Sequence, residues 1–181
     1  MGCVPSSPVC SSYETDETTQ IDGNQVFVQE RIPGVGLNVA WQYIPKDQKT
    51  SFKNQAREVL RCLQSIPSPA GQERPYAVSD PDPVKNRGIQ DLEKQIIFPE
   101  RNPDSDVSFM HNDFSLLNTI VDHGKIVSLV DWEMAGWFGR KIAADVHVQI
   151  RTPKRENFAH LDLAEDFLED ILFWNDLYEE A

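Results

Sequence analysis

The chain has 181 residues, 40% of them hydrophobic and 25% charged, which suits one soluble domain able to bury a core of its own. Its formal net charge of −12 excludes a nucleic-acid backbone as the main partner, because that would need a basic surface. The same excess means that an anionic ligand would have to be met by metal ions or by locally placed Arg and Lys.

Three cysteines, Cys3, Cys10 and Cys62, without CxxC spacing, provide neither a disulfide framework nor a zinc site and point to a reducing, cytoplasmic setting. No apolar run reaches the roughly 18 residues of a membrane span, and no apolar h-region follows Met1. The opening "MGCVPSS" does put Gly2 and Ser6 at myristoylation spacing, with Cys3 alongside. A membrane would be a partner only if Gly2 is acylated, and Pro5 within the motif and the lack of a following polybasic patch weigh against that.

Residues 1–20 are rich in Ser, Thr, Pro and acids and read as a flexible segment. In "IDGNQVFVQERIPGVG", Asp22-Gly23 is a turn signal, and Gln25 to Glu30 alternate as a strand does. Pro33, Gly34 and Gly36 then mark a turn; no third glycine follows at phosphate-loop distance. "DQKTSFKNQAREVLRCLQSI" predicts a helix over 47–66, with Asp47 as its cap and Phe52, Ala56, Val59, Leu60, Leu63 and Ile66 as its apolar stripe. Pro67 to Gly88 is a long loop, a length usually functional or mobile. "IQDLEKQIIF" reads as a short helix with Ile89, Leu92, Ile96 and Ile97 on its apolar side. The end predicts another amphipathic helix carrying Leu163, Phe167, Ile171, Trp174 and Tyr178. No internal repeat is present.

The chemistry concentrates in "FMHNDFSLLNTIVDHGKIVSLVDWEMAG", Phe109 to Gly136. Val107 to Met110 read as a short strand leading to His111. Thr119–Val121 and Ile126–Val130 read as the arms of a hairpin turning at His123-Gly124. That turn sets Asn118 across from Leu129, with Asp131 two residues beyond the partner. Neighbouring strands lie about 5 Å apart, so both side chains can reach one small ion. An amide oxygen with a carboxylate suits Mg2+ that also takes phosphate oxygens. Asp113, in the preceding loop, could accept a proton from a substrate hydroxyl. Taken singly, Asp113 could cap a turn, Asn118 could close a strand end and Asp131 with Glu133 could be a solvated edge; the joint spacing favours a site.

His-x-Asp-x-x-x-x-Asn, a hairpin, then Asp is the layout of a kinase catalytic loop and metal-binding aspartate. "HNDFSLLN" together with "VDWEMAGW" resembles the aminoglycoside phosphotransferase and choline-kinase-like family of the protein-kinase-like fold. "ERIPGVGLNVAW", "KNRGIQDLEKQIIF" and "VHVQIRTPKRENF…FWNDLY" resemble its fungal-type branch, over roughly residue 21 to the end. The resemblance implies an α+β chain with a mostly helical C-terminal lobe that carries the catalytic hairpin. Residues 21–45 would be a remnant of the nucleotide lobe with its hinge, and residues 46–181 the helical lobe.

The resemblance further implies ATP and Mg2+ as cofactors and a small-molecule hydroxyl as acceptor. Asp113 would be the base of the catalytic loop, His111 its buttress, and Asn118 and Asp131 the magnesium ligands. Glu30, Arg31 and Ile32, up to Pro33, would form the hinge whose backbone meets adenine. Asp145 would be an outer anchor of the site. Trp132 and Trp137 read as packing residues, and His147 and His160 have no partners at metal-ligand spacing.

The chain departs from the family pattern before the hinge. Its first lysine is Lys46, and neither a Gly-rich loop nor a lysine–glutamate pair for the phosphates is legible ahead of it. Two readings therefore stand: a small-molecule kinase, or a truncated, catalytically silent kinase-like domain that acts as a binding module. "DWE" in place of Asp-Phe-Gly, with no Ala-Pro-Glu segment after it, argues against a protein kinase. Acceptor choice would lie in Pro67–Gly88 and the C-terminal helices.

Overall fold

The longest element, α2 (Lys46–Gln64), shows how the sequence pattern becomes packing. In the computed structural model, which describes residues 20–21, 24–25, 31–68, 91–97 and 106–179, Phe52, Ala56, Leu60 and Leu63 form its buried face. These residues recur every three or four positions, so the 3.6-residue turn brings them into one stripe. Ile66 lies past the helix end and is exposed. Pro45 occupies the cap position, so Asp47 stands in the first turn instead; its charge there still meets the positive end of the helix dipole.

Before α2 come a short antiparallel pair, β1 (Gln20–Ile21) and β2 (Asn24–Gln25), then β3 (Val35–Gly36), the single turn α1 (Leu37–Ala40) and a tighter turn at Trp41–Tyr43. The strand expected over Gln25–Glu30 lies beyond Gln25 outside the described residues. After α2 follow α3 (Asp91–Ile97), β4 (Thr119–Asp122), β5 (Lys125–Leu129), α4 (Arg140–Val146) and α5 (Glu165–Leu172). The fold is α+β, mostly helical, with a three-stranded antiparallel sheet in the order β3-β4-β5. Gly34 and Gly36 do not act alike. Gly34 turns the chain at φ 116°, whereas Gly36 is already in β3.

Two predicted apolar faces are corrected. In α3, Leu92 points outward and Glu93 is buried beside Ile97, because a cation from the chain's C-terminal part waits on that side. In the last helix, Phe167 is exposed, and α5 ends at Leu172 before successive turns. Trp174, Leu177 and Tyr178 enter the core from those turns, not from a continuous helical stripe.

One core gathers Leu37, Trp41, Phe52, Leu60, Met110, Phe114, Trp174 and Leu177; a smaller one gathers Ile97, Phe138, Ile142 and Val146. The α2 face is completed by two buried lysines. Lys49 pairs with Asp170 at 2.6 Å and lies 5.0 Å from the centre of the Trp41 ring. Lys53 pairs with Asp176 and sits over Phe173 at 3.7 Å. Long aliphatic stems in the core with paired ends let these charges clamp α2 to α5 and to the turns after it. Among the described residues, no helix is long and apolar enough to cross a membrane.

The start of the sheet rests on Gly34. A Cβ there would lie 2.5 Å from the Val121 carbonyl oxygen, one pair along from Val35↔Val121. Positive φ and that contact together exclude a side chain without displacement of β3. Gly34→Ala is expected to lower stability by about 2 kcal/mol, read as a fall in the denaturation midpoint. An unchanged midpoint would mean that β3 is not held in this register.

Candidate active site

Asp113, Asn118 and Asp131 come from three pieces of chain: a loop, the first residue ahead of β4, and the first turn beyond β5. Backbone pairing brings them together. Met110 and Gly136 exchange hydrogen bonds of 2.8 and 3.0 Å, so the chain entering His111 runs beside the chain leaving Asp131. The predicted strand over Val107–Met110 is reduced to this one bridge. The hairpin supplies the second tie, the Val130 N–H donating to the Asn118 carbonyl at 2.9 Å.

This register differs by one residue from the expectation. Thr119, not Asn118, stands opposite Leu129, and the arms run Thr119–Asp122 and Lys125–Leu129. The cause is an extra residue in β5: Val121 pairs with Ile126 and Ile120 with Ser128, leaving Val127 unmatched. Such a bulge slips all later pairs. Asn118 thus faces Val130, and Asp131 is the very next residue.

Three features then set the side chains. The Asn118 Nδ2 donates to the Asp113 carbonyl at 3.1 Å, which turns its Oδ1 the other way, free to act as a donor to a cation. Asp131 is held in the left-handed region, φ 64° and ψ 63°, and is exposed. Asn112, just before Asp113, is buried at φ 63°, and neither end of its amide has a hydrogen-bond partner in the protein. Among the described residues, two of the three non-glycine residues with positive φ therefore lie at or beside the predicted chemistry, where local strain is common.

His111 takes the buttress position. It is fully buried, and its Nε2 lies 3.0 Å from the Val130 carbonyl oxygen. A carbonyl can only accept, so Nε2 carries the hydrogen. Burial drives its pKa down to about 4, against the pull of the Val130 carbonyl and the Asp131 charge. The ring is neutral at pH 7 and serves as a strut. Trp132 packs edge-on against it with centroids 4.5 Å apart and stacks on Phe109 at 6.1 Å, while its Nε1 donates to the Leu129 carbonyl. Trp137 joins this cluster, its ring 4.9 Å from that of Phe109.

Asp113 is partly buried, and burial raises its pKa above the ordinary carboxylate value, with Arg151 opposing. Of the predicted hinge, Arg31 and Ile32 are described, in irregular chain just ahead of Gly34, and Glu30 lies outside the described residues. The following segment is tied to the site, since β3 pairs with β4 and the Asn38 N–H donates to the Leu116 carbonyl at 3.1 Å. Asp145 forms a surface pair with Lys141 at 2.9 Å and does not reach this cluster through that contact. The loop expected to select an acceptor lies, beyond Ser68, outside the described residues.

Sequence reasoning passed over Asp106, Glu93 and Arg151. The Asp106 carboxylate accepts from Ser108 and from Arg140 N–H groups, both at 2.8 Å, so it fastens the bridge strand to the start of α4. Gly139 is required beside it, because a Cβ would lie 2.3 Å from the Asp106 carbonyl oxygen. Arg151, at the end of a wide turn over His147–Arg151, pairs with buried Glu93 and approaches Asp113 Oδ1 at 3.6 Å. A long-range cation of this kind leaves no periodic or spacing signal.

Among the described residues, no group of three or more His, Cys, Asp or Glu is arranged to hold a metal ion by itself. The donor set present, the Asn118 amide oxygen and the Asp131 carboxylate, matches the hard-cation pattern in which a nucleotide supplies further oxygens. The residues fit Mg2+ with bound phosphate better than an all-protein cage.

The His111 strut makes a pH prediction. Below pH 6.5 the unfolded histidine takes up a proton that the folded ring refuses until about pH 4. Its stabilising share is therefore present above 6.5 and lost as pH falls toward 4, up to about 3 kcal/mol. His147, also depressed by burial, acts in the same sense, whereas raised Glu93 and Asp113 act in the opposite one. His111→Gln isolates the effect. Its melting temperature should lie below the parent's at pH 7, and the gap should close toward about pH 4.5. A constant gap would mean that the folded ring titrates no differently from the unfolded one.

Residues 4–138 match the model of the phosphotransferase enzyme family, APH. The match begins ahead of the stretch that carried the sequence resemblance and stops short of α4. No curated protein and no solved structure matches the chain. With the match covering well over half of its 181 residues, and with the loop and hairpin arranged as described, the chain belongs to the APH phosphotransferase family.

Proposed function

We propose that this chain is a small-molecule kinase, transferring the γ-phosphoryl group of ATP to a substrate hydroxyl. The observation that carries the proposal is the double hold on Val130. Its N–H is bound to Asn118 and its C=O to His111, which sets Asp131 beside the loop of Asp113. A phosphotransferase needs positioned groups and charge neutralisation more than a covalent nucleophile, and this cluster offers them.

In this reading Asp113 accepts the proton as the acceptor oxygen bonds to phosphorus and ADP leaves. Burial raises its pKa, which strengthens it as a base. Asn118 Oδ1 and Asp131 hold Mg2+, and the ion, when bound, supplies positive charge to the phosphate oxygens. His111, neutral and buried, keeps the loop in place and takes no proton. Arg31 and Ile32 lie just ahead of the sheet, and together with Glu30 they would meet the adenine through their backbone. The family membership and the three matched residues support an enzyme over a silent binding module.

Two substitutions test the roles. MgATP is expected to raise the parent's melting temperature, and Asp131→Ala to abolish that rise; an equal rise in the variant would remove Asp131 from the metal site. Asp113→Asn should keep the rise but lower turnover by about 100-fold or more, the usual contribution of a general base. Unchanged turnover would exclude Asp113 as the base.

A further inference from the structure

The guanidinium of Arg151 meets three groups, one through Nη2 and two around Nε. Nη2 donates to Oε1 of Glu93, whose side chain is 2% exposed. Nε lies 3.5 Å from the carbonyl oxygen of Asn112 and 3.6 Å from Oδ1 of Asp113. The Arg151 side chain itself is 17% exposed, so these contacts are shielded from water.

A buried glutamate with no cation would be expensive, and Arg151 answers that cost. Glu93 alone would be satisfied by any cation. What a compact ammonium could not do is reach the Asn112–Asp113 peptide at the same time, because only the planar fork presents Nη2 and Nε in separate directions. Asn112 is the left-handed residue, so its carbonyl belongs to the strained peptide that aims Asp113. The hold on that carbonyl comes from a different part of the chain than the hold exerted by Asn118, which grips the carbonyl on the far side of Asp113.

We infer that Arg151 is a positioning residue for Asp113, and that Glu93 is built into α3 to aim Arg151. Asp113 is fixed from both sides: Asn118 takes its own carbonyl, and Arg151 takes the carbonyl before it and faces its carboxylate. Arg151 lies beyond residue 138, where the family match ends, so the cation of this brace comes from the part of the chain that the match does not cover. The inference rests on the kinase reading of Asp113.

The experiment uses the full chain, with MgATP hydrolysis as the reaction and water as the acceptor. Water's oxygen bonds to the γ-phosphorus, ADP leaves and the proton passes to Asp113. Arg151→Gln should lower kcat by about 10-fold or more, while KM for ATP stays within about twofold. Glu93→Gln, which keeps an acceptor for Nη2, should lower kcat less, and adding it to Arg151→Gln should have no further effect. Loss of kcat and KM together would indicate a general loss of fold and overturn the positioning role.

A spectroscopic readout stands apart from turnover. In 15N-labelled protein, the Nε–H resonance of Arg151, assigned by its loss in Arg151→Gln, should shift in Asp113→Asn. An unmoved resonance would overturn the inference. Parent turnover with an unchanged kcat in Arg151→Gln would overturn it alone. A parent with neither stabilisation by MgATP nor turnover would instead overturn the kinase reading, and the brace with it.

Discussion

Both polar groups of the Val130 backbone are committed, the N–H to the Asn118 carbonyl and the C=O to the His111 ring. Asp131 follows directly and has no choice of place. The bulge at Val127 makes this possible, because without the extra residue the second arm would bring Leu129 to Asn118. Burial among Phe114 and Trp132 keeps the His111 ring neutral, and the Val130 carbonyl then requires its one hydrogen on Nε2. An apolar cage thus keeps the ring neutral, a carbonyl selects its tautomer, and the bond between them sets the position of a carboxylate.

The site is held by backbone more than by side chains. Met110 with Gly136, Asn38 with Leu116, and Val130 with Asn118 are all main-chain bonds. Each joins a segment to another distant in sequence, so the loop from His111 to Asn118 is fixed at several points. That over-determination is what allows Asn112 and Asp131 to stay in the left-handed region.

Charge is used economically in this acidic chain. Lys49, Lys53, Arg57 and Arg151 are largely withdrawn from solvent and paired with Asp170, Asp176 and Glu93. Pairs of this kind add little net stability compared with an apolar contact, but breaking one leaves a buried charge uncompensated. They therefore specify which elements meet. Lys49 joins α2 to α5, Lys53 and Arg57 join it to the C-terminal turns, and Arg151 joins α3 to the loop of Asp113.

The sequence by itself determined the α2 helix, the hairpin, the candidate site residues and the family. These follow from local rules: a 3.6-residue apolar repeat, a two-residue turn at His123-Gly124, and a fixed spacing among His111, Asp113 and Asn118. It misjudged whatever depended on a partner far along the chain. Leu92 and Phe167 look apolar enough to be buried, yet Glu93 is taken inward by Arg151, and the last turns carry Trp174 to the core in place of a continued helix. The hairpin register turned on one unpaired residue, which alternating hydrophobicity cannot reveal when Ile126, Val127 and Val130 are all apolar. Only the tertiary structure decided that Arg151 meets Asp113, because a planar cation reaching from residue 151 to residues 93 and 113 is selected by geometry and burial.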